Sequence, residues 1–207
     1  MRIAVELGRK ALTMDDSEYL VHCVYGEIMD SAGKFELAES HFIRALKLNP
    51  NDVVSRSTYA LLLIRRGRPE EAVQHMAVAE RLDPFGLTWT PWAKGIVMFE
   101  VGRYQEAIRC LSKIENLCNL VRPWLAAAFS KIDDLAQARH VLEKFFNSAQ
   151  DDMDDFPGRN SEIWFKYLHD EMIWAGEEGF QDIYHALLKA DWQKLIDALP
   201  DSADDQP

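Results

Sequence analysis

Cysteine is scarce in this chain: three in 207 residues, an odd number, none in C-x-x-C spacing. That excludes a disulfide framework and the paired-thiol motifs of metal and redox sites. Cys23 and Cys110 fall within helical patterns, which predicts buried, reduced thiols of a cytoplasmic protein. Long apolar runs are missing as well. No stretch approaches the roughly 20 residues that span a bilayer, and no signal-peptide pattern opens the chain, so neither membrane contact nor export is expected.

Catalytic patterns are equally sparse. No G-x-S-x-G, phosphate-binding glycine loop, H-E-x-x-H or dinucleotide fingerprint occurs. His169, Asp170 and Glu171 are consecutive, so on a helix they point in different directions and do not converge on one metal. His140 and Glu143 share a helical face at i, i+3, a common pairing with no chemistry attached. The expectation is a chain that is no enzyme, with no metal and no cofactor.

Basic charge is short too, and unevenly so. The net charge is −11. Residues 1–150 hold 19 acidic and 19 basic side chains, whereas residues 151–207 hold 15 acidic and 4 basic. Nucleic-acid binding needs clustered Lys and Arg, and the only dense group is Arg65, Arg66 and Arg68. These are expected to end a helix, where cations suit the dipole; contact with an acidic phosphopeptide is the alternative. No nucleic acid is expected as a partner.

What the chain has in abundance is repetition. Ala4, Ala38 and Ala72 are 34 residues apart, as are Ala11, Ala45 and Ala79. Gly33, Gly67 and Gly102 mark a turn inside each unit, and Pro50 and Pro84 follow it. Outward from those glycines, helices are predicted over 19–31, 35–48, 53–65, 69–82, 89–101 and 104–114. Their apolar residues recur at helical spacing, as in Phe35, Ala38, Phe42 and Ala45. Small residues Gly26, Ala60 and Gly95 meet Ala38, Ala72 and Ala107 where the helices of a pair cross. Pro69, Pro91 and Pro123 suit a first helical turn, where a missing N–H costs little.

A 34-residue helix–turn–helix unit resembles the tetratricopeptide (TPR) repeat, and the resemblance covers residues 3 to about 146. It implies an all-α, right-handed solenoid of antiparallel helix pairs that holds other proteins. A fourth pair, over 123–132 and 135–146, sits 31 rather than 34 residues on. Helix pairing is expected to survive that slip and the one-residue stretch before Gly102. Residues 3–14 read as the second helix of a half unit, so Met1 is expected to open a fragment of a longer protein; a solitary capping helix is the alternative.

The domain expectation is therefore a half repeat over 1–18, four pairs over 19–148, an acidic loop over 149–160, a C-terminal helical cap over 161–200 and a frayed tail over 201–207. Within the cap, helices are predicted over 161–175, 178–190 and 191–199, with Asp191 as a helix cap. Trp164, Tyr167, Leu168, Met172 and Ile173 form one apolar stripe. Ile183, Leu187, Leu188 and Trp192 form another.

In stacked pairs the first helices line the concave face. The inward offsets give Leu61, Trp89, Trp92, Ile96, Phe99 and Trp124, with Glu27 and Asp30 as a polar end, and these are the candidate protein-binding groove. An aromatic groove suits an apolar or amphipathic peptide, or a second copy of the chain. The alternative is that the C-terminal segment folds into the groove and buries its tryptophans. Chaperone-tail clamps of the TPR family use Lys, Asn and Arg at offsets that here hold Cys23, Glu27, Trp89 and Ala93, so no such clamp is expected.

The run Arg81-Leu82-Asp83-Pro84-Phe85, then Trp92, Gly102 to Ile108, Trp124 to Ala128 and Ala138-Arg139 resembles the C-terminal repeat region of bacterial class III adenylate and guanylate cyclases. That resemblance covers about 81–146. It implies the regulatory C-terminal part of a larger cytoplasmic bacterial signalling protein. A rival reading is a structural dimerisation module that pairs upstream catalytic or DNA-binding domains; a third is a small-molecule sensor with an aromatic pocket.

Overall fold

The computed structural model describes residues 1–86, 89–114, 121–152, 158–172 and 176–200. Among them are twelve α-helices and no strand: α1 Arg2–Met14, α2 Tyr19–Ser31, α3 Phe35–Leu48, α4 Val53–Arg65, α5 Pro69–Leu82, α6 Thr90–Glu100, α7 Tyr104–Leu111, α8 Val121–Lys131, α9 Leu135–Asp152, α10 Ser161–Glu171, α11 Gly176–Lys189 and α12 Trp192–Asp197. The chain divides into two compact units, Met1–Val97 and Met98–Pro207.

One backbone device makes the pairs. After α2, the Gly33 N–H donates to Asp30 O and the Lys34 N–H to Met29 O, at 2.9 Å each. This double bond, with the residue after the helix in the left-handed region, is the Schellman stop, and it turns the chain back within three residues. It recurs after α4 (Gly67 to Ile64, Arg68 to Leu63) and after α6 (Gly102 to Phe99, Arg103 to Met98). After α8 it forms again (Asp133 to Ser130, Asp134 to Phe129), with Asp133 at φ 62° where the others have glycine.

In the first unit, α2 pairs with α3 and α4 with α5, and α1 packs on α2. Gly8 of α1 is buried against Tyr25, whose ring would lie 2.5 Å from an added Cβ. Close crossing explains the small residues: Ala38, Ala60 and Ala72 are fully buried, and an added Cβ on Gly26 would sit 3.1 Å from the Phe42 ring. Met29, Phe42, Leu62 and Met76 fill the space between helices. Asp52 caps α4, accepting the Ser55 N–H at 2.6 Å.

In the second unit, α8 pairs with α9, α7 packs on α8, α11 also lies on α8, and α12 lies on α9. Phe145 and Phe146 of α9 meet Trp164 of α10 at 5.7 and 5.0 Å between ring centroids, and Trp192 of α12 at 5.9 and 4.9 Å. All four rings are buried. At roughly 1.5–3 kcal/mol for each large apolar side chain removed from water, this cluster is a main anchor of α10 and α12. The Trp164 indole N–H donates to Gly158 O at 2.9 Å, so burial leaves no polar atom of that ring unmet.

Several expectations need adjustment. The helix α9 runs to Asp152 and so into the predicted acidic loop, because the stripe Leu142, Phe145, Phe146, Ala149 continues at helical spacing and is buried throughout. The helix α7 stops at Leu111 rather than Ile114, and two i to i−3 bonds, from Lys113 to Cys110 and Ile114 to Leu111, close it. Asp191 stands before α12 as expected, but at φ 66° and without a capping bond. Its carboxylate pairs with Lys194 and Arg139 instead. Ile173, residues 153–157 of the acidic loop and the 201–207 tail lie outside the described residues. Leu188, assigned to an apolar stripe, is 39% exposed.

Candidate functional site

The candidate groove residues fall into two groups by exposure. In the first unit Leu61 and Ile96 are fully buried, Asp30 is 1% exposed, Glu27 and Trp92 are half-buried, and Trp89 is 58% exposed. In the second unit Phe99 and Trp124 are 3% and 1% exposed and meet edge to face at 5.4 Å. The four apolar side chains Leu61, Ile96, Phe99 and Trp124 are thus core residues in this structure. Their first-helix offset predicted an open surface. Non-local packing, such as that of α11 along α8, is invisible to that offset. Lys131 of α8 is bonded to Asp182 of α11, and Lys189 of α11 to Asp133 in the turn after α8.

The aromatic surface that remains lies at the head of α6. Trp89 precedes the helix and its carbonyl accepts the Ala93 N–H at 3.0 Å. The Trp89 and Trp92 rings meet at 5.4 Å, tilted 74°. Phe85, in the turn after α5, is 84% exposed, and Leu82 is 38% exposed. That turn is closed by the Gly86 N–H donating to Asp83 O at 3.1 Å. Gly86 has φ 64°, and a Cβ there would lie 2.8 Å from Pro91, so only glycine brings the turn this close to α6. Phe85 carried no helical periodicity, and its exposure was not legible from the spacing.

The polar end of the groove is an internal structure. Asp30 accepts from Arg65 at 2.7 Å, and the Arg65 guanidinium lies 4.8 Å from the Phe35 ring centroid. Burial raises the Asp30 carboxyl above its usual range despite that partner. Glu27 is raised as well, by burial, and Cys23 donates to it at 3.8 Å. The Cys23 thiol is pushed up to about 11 by burial, so it is an inert core thiol rather than a nucleophile. Arg66 pairs with Glu36 at 2.6 Å, and Arg68 with Glu71 and Glu39. The dense basic group is therefore answered by carboxylates within the unit.

A histidine pair escaped the sequence reading. His22 Nε2 lies 2.9 Å from Asp16 O, which requires a proton on Nε2. The neutral ring then has Nδ1 as an acceptor, and His41 Nδ1, 2.9 Å away, supplies the proton. Burial and then the nearby His22 lower the basicity of His41. The pair fastens the turn before α2 to α3. Among the described residues no group of three or more His, Cys, Asp or Glu side chains is placed to hold a metal, and no helix is long and apolar enough to cross a membrane.

The tetratricopeptide repeat family model matches residues 41–74, from within α3 to within α5. No curated protein sequence matches the chain. Among solved structures it is similar to PilF of Pseudomonas aeruginosa, with 18% identity, a TM-score of 0.57 and 86% of each chain covered. It is similar to PilW, a widely conserved type IV pilus biogenesis factor, with 20% identity and a TM-score of 0.59 over 95% of this chain and 83% of that one. YrrB, a TPR protein with an unusual peptide-binding site, is 12% identical with a TM-score of 0.54 over 93% and 96%. At such identities the likeness speaks to fold alone. Residues 41–74 hold a tetratricopeptide repeat, and the chain has the all-α fold of tetratricopeptide-repeat proteins.

Proposed function

We propose that the chain is a non-catalytic interaction module that holds a protein or peptide through the aromatic head of α6. The observation that carries this reading is Trp89: a large indole left 58% exposed beside Trp92, with Phe85 exposed in the preceding turn. Exposed aromatic clusters of this kind mark interaction surfaces, and tryptophan is the side chain most often found at binding hot spots. The partner is an apolar or amphipathic segment. Of the eight candidate groove residues, Trp89, Trp92 and Glu27 are the ones that keep solvent-accessible surface for it. The resemblance of residues 81–146 to cyclase-linked repeats further supports a regulatory place in a larger cytoplasmic bacterial signalling protein.

Trp89→Ala is the direct test, because an exposed side chain is removed without opening the core. The variant is expected to keep the wild-type circular dichroism and melting temperature and to lose a partner that the wild-type chain captures by cross-linking. Equal capture by the two proteins would sink the reading. A second reading, self-association, has its own observation: Ile3, Leu7 and Met14 of α1, with Leu20 and Val24 of α2, are all 45–78% exposed. Light scattering decides it. A dimer that Leu7→Glu dissolves favours self-association, and a monomer at all concentrations removes it.

A further inference from the structure

Leu7, His41 and His75 lie 34 residues apart, each on the second helix of its unit. In the two complete units a first helix covers this position. The His41 ring meets Tyr25 of α2 edge to face at 4.8 Å and its Nδ1 bonds His22, and the His75 ring meets Tyr59 of α4 in the same way at 4.8 Å. Leu7 has no such cover and is 61% exposed. The alanines follow suit. Where α2 lies on α3 and α4 on α5, Ala38, Ala45, Ala72 and Ala79 are fully buried, whereas their counterparts Ala4 and Ala11 on α1 are only half-buried. The first helices repeat the contrast: the Thr58 hydroxyl of α4 lies 3.9 Å from the Cys23 Sγ of α2, while Val24, 34 residues before Thr58, is exposed. Ile3, Met14 and Leu20 are exposed on the same two helices. Helices α1 and α2 thus present an apolar seat that corresponds, position by position, to the one α3 and α4 present to α2.

We propose that this seat takes an amphipathic α-helix of a partner protein, docked antiparallel to α1 as the first helix of the half unit. An amphipathic helix laid by its apolar face on an apolar groove is a recurring mode of recognition. The chemistry of the occupant follows from the helices that fill the equivalent places. It carries a small residue where α2 has Gly26 and α4 has Ala60, and an aromatic ring, to lie on Leu7, where they have Tyr25 and Tyr59. Lys10 is exposed on the same stripe as Leu7 and Met14, so an acidic residue at the edge of the partner helix complements it. A second copy of the chain does not supply the helix, because its α2, α4 and α8 already lie on α3, α5 and α9. The seat is separate from Trp89 at the head of α6, and its occupancy does not depend on that surface.

The test is fluorescence anisotropy of the full chain, under reducing conditions, with a fluorescein-labelled peptide of the α2 sequence, Glu18–Ala32, which carries the small residue, the ring and three acidic groups. Saturable binding is expected. It should weaken at least about tenfold in Leu7→Glu and in Val24→Glu, because each places a charge in an apolar contact, and stay unchanged in Trp89→Ala. Leu7 and Val24 are exposed, so neither change opens the core, and an unchanged melting temperature verifies it. A peptide carrying Gly26→Leu is expected to bind at least about tenfold more weakly, since a close helix crossing has no room for the larger side chain. No binding by the wild type, equal binding by the Leu7→Glu chain, or equal binding of the Gly26→Leu peptide would each overturn the proposal. So would a dimer that Leu7→Glu dissolves and the peptide leaves intact, since the seat would then belong to a second copy. Peptide binding that is lost in Trp89→Ala and kept in Leu7→Glu would place the helix at α6, overturning the seat and leaving the interaction module standing.

Discussion

Four turns share one backbone geometry, and only one of them lacks glycine. Gly33, Gly67 and Gly102 sit at φ 67–75° with open space where a Cβ would go, so conformation rather than crowding selects them. Asp133 takes the same geometry at φ 62°. A β-carbon in the left-handed region costs of order 1 kcal/mol, which Asp tolerates better than most residues. Its carboxylate bonds Lys189, but that pair is more than half exposed on both sides and contributes little. Asp133→Gly is therefore expected to raise stability by roughly 0.5 kcal/mol, the relief of strain being offset in part by the looser unfolded chain. Urea unfolding measures it, and a loss of stability would mean that the Lys189 contact outweighs the backbone.

Among the elements, α1 packs on α2. Its Gly8 lies against Tyr25 and Ile28, and the Arg9 Nε–H donates to the Tyr25 hydroxyl at 3.4 Å. Gly8→Ala places a methyl 2.5 Å from a ring carbon, and overpacking of that kind costs about 1–3 kcal/mol. The expected result is faster amide exchange confined to α1, with α3 to α5 unchanged, and uniform loss of protection would show that α1 is integral to the unit's stability. Helix ends were legible because Gly and Pro punctuate a fixed period: α2, α3, α4 and α5 start and stop where the spacing put them. What the period could not carry is burial by distant elements. Trp124 and Phe99 occupy offsets that face the groove in an ideal repeat, yet they are core residues of the second unit. Phe85, a turn residue outside the helical period, is the most exposed large hydrophobic side chain among the described residues. His22 did not stand out, because its partner His41 lies 19 residues away.

For the molecule as a whole, acid and base should act on the two units in opposite senses. In the second unit, burial and then Asp182 push Glu100 up to about 7, while Lys131, bonded to Asp182, offsets this only in part. Its buried Oε1 has no hydrogen-bond partner. With a folded pKa above the ordinary carboxylate value, the native state holds this proton more tightly than the unfolded chain. The stability it contributes is full below about pH 4.5 and is lost as pH rises through about 7. In the first unit His41 and His75 are lowered from 6.5 by burial, so protonation favours unfolding and stability falls as pH drops below that value. Asp30 and Glu27, both raised by burial, offset the histidine loss only further into the carboxylate range. Glu100→Gln keeps the shape and removes the charge, so it is expected to stabilise the protein at pH 8 by on the order of 2 kcal/mol and to lose that advantage by pH 5. Lowering the pH of the wild type from 8 to 6 should strengthen amide protection in α8 and α9, after correction for intrinsic exchange rates, while protection in α3 and α5 weakens. Protection that moves in the same direction in both sets of helices, together with a pH-independent effect of Glu100→Gln, would show that Glu100 is ionised in the native fold.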